Sequence, residues 1–292
     1  MSQTVYLNGT YQPIEEAKIS VLDRGFIFGD GVYEVIPVYD KTPFRIDGHL
    51  ARLQKSMDEI KLKNPMTGAQ WSALIEAIIE RHEWADQAVY IQVTRGVAPR
   101  DHRTPKDIQP TVFVMTGKLS MPSEIDRKNG VSAISLDDNR WYRCQIKSTA
   151  LLGNVLLRQQ AADAGCIEAV LFRDGYLTEA SASNVFVVRN AVLLAPPKDN
   201  LILGGITYDA VIELARGNGL AVELRKISRT EVATADELWL TSSSKEVLAI
   251  TTLDEKPVGH GVYAGKPGPI FDRMAQWLRA ATRAKVRNAV HA

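Results

Sequence analysis

Short runs of alternating apolar and polar residues open the chain at 4–7 and 10–13, on either side of Asn8-Gly9, a dipeptide suited to a two-residue hairpin turn. A second alternating pair, 33–39 and 43–46, turns at Asp40-Lys41. The period then lengthens from two to about 3.6 residues. Leu50, Leu53, Met57 and Ile60 recur at helical spacing behind Asp47, read as the N-cap, and Trp71, Leu74, Ile75, Ile78 and Ile79 form the cleanest amphipathic stripe. Period two returns at 89–94 and 111–116. Beyond residue 125 short strands dominate, at 131–136, 169–172, 177–188, 192–195 and 237–241, with a tight turn at Asp174-Gly175. Helices are predicted at 148–164, ended by Gly165, at 208–216, ended by Gly217 or Gly219, and from Pro269 onward. Strands and helices mix without regular alternation, which predicts an α+β fold rather than a doubly wound sheet.

A chain of 292 residues is long enough for about two domains. The stretch 117–124, with Pro122 inside it, is the natural linker, giving an N-terminal α/β domain at 1–118, a linker at 119–124 and a strand-rich domain at 125–292. With 35 basic against 34 acidic residues there is no imbalance that would call for nucleic acid or an anionic membrane as partner. A small molecule is the expected partner instead. Cys144 and Cys166 form neither a CxxC pair nor a cluster with histidine, so neither a disulfide framework nor a metal site is predicted. The charged N-terminus excludes a secretory signal, and no apolar run approaches the ~18 residues of a membrane span, which makes the cytoplasm the expected location.

Candidate chemistry sits at five places. Lys147 lies at a predicted strand-to-helix junction, followed by apolar Ala150, Leu151 and Leu152; from position alone the ordinary reading is a lysine fraying off a strand end into water. A lysine that forms an imine needs a desolvated pocket, and an aromatic aldehyde with a basic ring nitrogen needs a carboxylate to keep that nitrogen protonated. Glu179 could be that carboxylate. By strand period Glu179, Ser181 and Ser183 share one face, either lining a cavity with small polar groups or forming an exposed edge. Gly204-Gly205-Ile206-Thr207 runs into a helix and Thr241-Ser242-Ser243-Ser244 follows a strand; each offers amides or hydroxyls to an anion, and each alone is also an ordinary connection. Arg52, beside its helix's apolar stripe, is either a fixed charge for that anion or a solvated flank residue. His49, His82, His260 and His291 show no partner pattern. There is no Gly-x-Ser-x-Gly elbow or Walker loop, and 259–265 misses the dinucleotide fingerprint.

Taken together, these segments resemble the fold type IV family of pyridoxal phosphate enzymes. Its signature of Glu, a small residue, Asn, an aliphatic and an aromatic is matched by Glu179-Ala180-Ser181-Ala182-Ser183-Asn184-Val185-Phe186. The later part departs from it: the family's Leu-x-Thr reads Leu193-Leu194-Ala195, and Tyr208 stands where Arg or Lys is expected. The likeness extends from Asp23-Arg24-Gly25 and 28–34 to Thr241-Ser242-Ser243. Within the family, Tyr33-Glu34-Val35 and Thr94-Arg95-Gly96-Val97-Ala98-Pro99-Arg100-Asp101-His102 are similar to the D-amino acid aminotransferase segments whose Tyr, Arg and His hold the substrate α-carboxylate. Arg offers that carboxylate a planar fork of donors, though Arg100 and His102 also read as a basic loop at a strand end.

The resemblance implies a two-domain homodimer that uses pyridoxal 5′-phosphate for ping-pong transfer between a D-amino acid, such as D-alanine, and a 2-oxo acid, such as 2-oxoglutarate. Lys147 would hold the cofactor as an internal imine and carry the proton. Arg52, Glu179, Gly205, Ile206, Thr207, Ser242 and Ser243 would bind the cofactor, and Tyr33 with Arg100 and His102, the last two from the neighbouring subunit, would bind substrate. No metal is implied. Branched-chain L-amino acid aminotransferase, which shares the cofactor set but lacks the Arg-x-His trap, and aminodeoxychorismate lyase, from another reaction class, are the alternative activities, and a non-catalytic binding or structural protein is the third alternative.

Overall fold

The computed structural model describes residues 3–289, which divide into two compact units. The first comprises the chain through Ser120 together with Ile146–Leu151. It contains β1 (Thr4–Leu7), β2 (Thr10–Pro13), α1 (Arg24–Phe28), β3 (Gly31–Tyr39), β4 (Thr42–Pro43), α2 (Ile46–Glu59), α3 (Gly68–Glu80), β5 (Gln87–Thr94) and β6 (Thr111–Lys118). The six strands form one sheet in the order β2-β1-β6-β5-β3-β4. Val32, Ile36, Val89, Ile91 and Val93 cover one face of it and pack against Leu53 and Met57 of α2 and Trp71, Ile75 and Ile78 of α3. The two early hairpins turn where the sequence predicts: Asn8 and Gly9, and Asp40 and Lys41, all take positive φ.

The cap of α2 is a correction. Arg45, in the left-handed region and without a side-chain cap bond, occupies the N-cap, and Asp47 lies inside the first turn. A carboxylate in the first turn still complements the helix dipole, so the sequence signal is real but displaced.

The second unit comprises Met121–Gln145 and the chain from Leu152 on. It holds α4 (Glu124–Asn129), β7 (Val131–Asp137), α5 (Leu152–Asp163), β8 (Glu168–Arg173), β9 (Tyr176–Ala180), β10 (Asn184–Arg189), β11 (Val192–Ala195), α6 (Ile206–Gly217), β12 (Val222–Leu224), α7 (Arg229–Ala233), β13 (Glu237–Ser242), β14 (Glu246–Leu253), β15 (Lys256–Pro257) and α8 (Pro269–Ala289). Eight strands follow the path β12-β11-β10-β13-β14-β7-β8-β9, and β15 pairs with β14. The parallel neighbours β14-β7-β8 sit among antiparallel pairs, so the α+β expectation holds in detail.

Two further expectations change. The run 177–188 is two strands: Ala180 N–H donates to Ser183 O across a bend at 181–183, so β9 pairs with β8 while β10 pairs with β11 and β13. The helix expected from 148 starts at Leu152 instead. Residues 147 and 149 are committed to the edge of β3, with Tyr33 N–H donating to Lys147 O (2.9 Å) and Thr149 N–H to Gly31 O (3.0 Å). Backbone groups bound across a strand edge are not free to close helical turns.

Candidate active site

In the first unit, Lys147 is half-buried, not frayed. Its N–H donates to Ser56 Oγ on α2 (3.2 Å), and its Nζ lies 4.2 Å from the Tyr33 ring centroid. Tyr33 stacks on Tyr90 of the adjacent strand at 5.7 Å. The next residue of β3, Glu34, has no solvent exposure and points into α2, because strand neighbours face opposite ways. There Arg52 Nε donates to Oε1 (2.7 Å) and Nη2 to Oε2 (2.8 Å), while His49 Nδ1 lies 2.9 Å from Oε2. Burial pushes the Glu34 carboxyl upward, but the Arg52 charge and these bonds override it and hold it at about 2. Burial keeps His49 below its usual range. Arg52 is therefore no solvated flank residue; Glu34 fixes its direction.

Arg100 and His102 are exposed, on the loop after β5, and the structure brings them together around Phe28. The Arg100 guanidinium is 5.5 Å, and the His102 ring 5.4 Å, from the Phe28 centroid. Arg24 organises this corner. Its Nε donates to Asp30 Oδ2 (2.8 Å), its Nη1 to Asp101 O (2.5 Å), and its guanidinium lies 4.8 Å over the same ring. The Asp23-Arg24-Gly25 segment thus ties down the loop that carries the two basic residues.

In the second unit, Glu179 at the end of β9 is 5% exposed. Its Oε1 accepts from Arg140 Nη1 (2.6 Å), and its Oε2 accepts from Asn184 Nδ2 (3.1 Å) and Leu203 N (3.0 Å). Burial raises its carboxyl to about 7 in spite of the Arg140 charge. Asn184 is the hub of the cluster: it also donates to Leu203 O (2.8 Å), pairs in register with Thr241, and its Oδ1 lies 2.2 Å from where a Cβ on Gly205 would be. Only glycine fits that contact.

Gly205 is the N-cap of α6, and no side chain caps the helix, which leaves the first-turn amides of Ile206 and Thr207 at its positive end. Nearby, Thr241 Oγ1 is buried without a hydrogen-bond partner, and Ser242 and Ser243 follow it, half-buried. A buried orphan hydroxyl, an uncapped helix start and a glycine pressed against the hub suit a phosphate group, and a buried carboxyl raised to about 7 suits a basic ring nitrogen. The residues present fit pyridoxal 5′-phosphate.

Strand period places Ser181 and Ser183 on a lining face with Glu179, and the structure does not. Both hydroxyls donate to the fully buried Glu168, Ser183 at 3.1 Å, and Lys245 Nζ reaches Ser183 Oγ at 3.1 Å and Glu168 Oε2 at 3.5 Å. The bend at 181–183 breaks the period, which is why the reading fails there.

Sequence reasoning misses Arg140, Asp138 and His49. The first two stand in a polar segment after β7 with no periodic signal, and His49 becomes legible only once Glu34 is known to face α2. His82 stacks on Trp84, His260 is exposed, and His291 lies outside the described residues. Among the described residues no group of three or more His, Cys, Asp or Glu could hold a metal.

The family model described as "Amino-transferase class IV" matches residues 31–253. The chain is 40% identical to a D-alanine aminotransferase of Bacillus licheniformis over 91% of this chain and 92% of that one. It is 37% identical to a D-alanine aminotransferase of Listeria monocytogenes over 94% of each. Among solved structures, the T.th. branched-chain amino acid aminotransferase with pyridoxamine 5′-phosphate superposes with a TM-score of 0.88 at 26% identity, covering 97% of this chain and 95% of that one. The branched-chain aminotransferase of Thermoproteus uzoniensis with norvaline gives 0.87 at 26% identity, covering 98% and 96%.

Proposed function

Because the chain belongs to the class IV aminotransferase family, we propose that it is a pyridoxal 5′-phosphate-dependent aminotransferase that moves an amino group from a D-amino acid, D-alanine first, to a 2-oxo acid such as 2-oxoglutarate. The observation that carries the chemistry is Glu179, a buried carboxylate at about 7, joined through Asn184 to the glycine that opens an uncapped helix. Extended similarity to D-alanine aminotransferases supports the choice of D-substrate.

When bound, the cofactor supplies an aldehyde that accepts the amino group and a ring that draws electron density from the α-carbon. Lys147 Nζ would hold it covalently and would carry the proton that leaves the substrate α-carbon. Glu179 would keep the ring nitrogen protonated. The amides of Gly205, Ile206 and Thr207 and the hydroxyls of Ser242 and Ser243 bind the phosphate, and Arg52 adds a fixed positive charge. Tyr33 is assigned to the substrate with Arg100 and His102, whose donors match an α-carboxylate.

The reading includes a homodimer, in which the neighbouring copy supplies Arg100 and His102. It is supported by exposed apolar side chains on one edge of the first unit: Val21 and Phe26 are 72% and 68% exposed, and Leu22 O accepts from Ala98 N beside exposed Val97. No helix among the described residues is long and apolar enough to cross a membrane, and both cysteines are free, which accords with a reducing cytoplasm.

Assaying paired D and L enantiomers of alanine and leucine with 2-oxoglutarate tests the reading. D-alanine should be the best donor. The similarity in fold to branched-chain aminotransferases favours one rival, and a preference for L-leucine would establish it in place of the D-specific activity.

A further inference from the structure

We propose that Arg140, clamped by Asp138, is a positioning residue that biases the proton held between Glu179 and the cofactor's ring nitrogen toward the ring; the inference rests on the function proposed above. Arg140 is 9% exposed, and its fork is fixed at both ends. Nε and Nη2 donate to Asp138 Oδ1 (3.0 Å) and Oδ2 (2.9 Å), while Nη1 donates to Glu179 Oε1 (2.6 Å). Asp138 is itself held by Thr178 Oγ1 (2.8 Å) and by Arg173 on β8 (3.1 Å). A side chain anchored in this way cannot swing to water when the charge beside it changes.

The groups that face Glu179 can be named element by element. The segment after β7 gives Asp138, Arg140 and the Cys144 thiol; β8 gives Arg173, acting through Asp138; β10 gives the neutral Asn184 amide; and the turn before α6 gives Leu203 N–H. Burial drives Glu179 to hold its proton, and Arg140 opposes it. A guanidinium bound to one carboxylate oxygen stabilises the anion, so a proton between the other oxygen and a basic nitrogen moves toward the nitrogen. Asp138 works the other way, because its negative charge partly cancels that of Arg140.

The two residues are therefore levers of opposite sign, and this separates an electrostatic role from a structural one. Removing the Arg140 charge should raise the proton affinity of Glu179. Removing the Asp138 charge should lower it. Loss of packing alone predicts no such opposition.

The test uses the holoenzyme of the wild type, Arg140→Gln, Arg140→Lys and Asp138→Asn. The visible absorbance of the bound cofactor and the pH profile of kcat are followed, and the Glu179-dependent transition is identified by its absence in Glu179→Gln. In Arg140→Gln the transition should move to alkaline pH by about one unit or more, and Arg140→Lys should recover most of that shift. In Asp138→Asn it should move to acid pH. If Arg140→Gln does not fold, Arg140→Lys should still show a small residual shift to alkaline pH while Asp138→Asn shifts to acid pH. Variants that shift together, or not at all, in a holoenzyme that binds cofactor overturn the role of Arg140 alone. A wild type that binds no cofactor overturns the proposed function and this inference with it.

Discussion

Replacing Arg52 with alanine separates its bonds to Glu34 from the cofactor role proposed for it. Glu34 has no exposed surface, and both of its oxygens are paired with Arg52, at 2.7 and 2.8 Å. Burial alone would raise its carboxyl, yet it lies at about 2 instead of the ordinary 4.5. At about 1.4 kcal/mol per unit that displacement is worth about 3 kcal/mol. Removing one partner of a buried pair strands the other and costs about 3 to 5 kcal/mol, less whatever is recovered when Glu34 takes up a proton. Arg52→Ala should therefore lower unfolding free energy by about 3 kcal/mol and Tm by on the order of 10 °C, measured by denaturant and thermal unfolding of cofactor-free protein.

The double variant Arg52→Ala/Glu34→Gln should regain most of that stability, since no buried charge remains. It should not regain cofactor affinity, which fluorescence titration should find weakened on the order of ten- to a hundredfold in both variants. If the double variant recovers affinity together with stability, Arg52 is a counter-ion for Glu34 and nothing more. The sign with pH follows from the same pair. A carboxyl held below its ordinary value stabilises the fold above about pH 4.5 and loses that contribution as pH falls toward about 2, so wild type and Glu34→Gln should converge in acid.

Other expectations are simpler to read. Lys147→Ala should lose turnover and the visible band of bound cofactor; a borohydride-fixed label found on another lysine would remove Lys147 from its role. Arg100→Ala should lower kcat/KM for D-alanine on the order of ten- to a hundredfold, from the loss of a charged hydrogen bond of about 1.5 to 3 kcal/mol. The loss should be smaller for an amine donor without a carboxylate, and equal losses for both donors would contradict the trap. Gly205→Ala places a Cβ 2.2 Å from Asn184 Oδ1, so Asn184 must move; cofactor Kd should rise about tenfold and stability fall by about 1 to 3 kcal/mol, and an unchanged Kd would mean that the helix start does not hold the phosphate.

What the sequence reveals depends on whether a signal is local. Asn8-Gly9 and Asp174-Gly175 state their turns outright, because Asn, Asp and Gly tolerate positive φ. The turn at Asp254-Glu255 uses the same conformation with Glu at the second position, a residue that carries no such signal, and pattern alone does not reveal it. The stripe of α3 is legible because its five buried residues recur within one helix. The run 177–188 reads falsely as one strand because the bend at 181–183 is fixed by Ser181 and Ser183 donating to Glu168, a residue more than ten positions earlier in the chain. Arg140 and His49 are invisible for the same reason. Their importance lies in partners that only the folded chain brings close.

Glu34 and Glu179 show what that closeness does to one kind of side chain. Both are buried, and both meet an arginine, so burial and charge type alone do not distinguish them. The difference is in how the arginine is shared. Arg52 gives two bonds to Glu34, and His49 supports a third contact, so the attraction outweighs burial and the carboxylate stays charged through any physiological pH. Arg140 gives Glu179 one bond and spends the rest of its fork on Asp138, so burial wins and the carboxyl titrates near neutrality. A permanently charged group can orient an arginine but cannot exchange a proton. One raised by burial to about 7 can, and that is the property the role proposed for Glu179 requires.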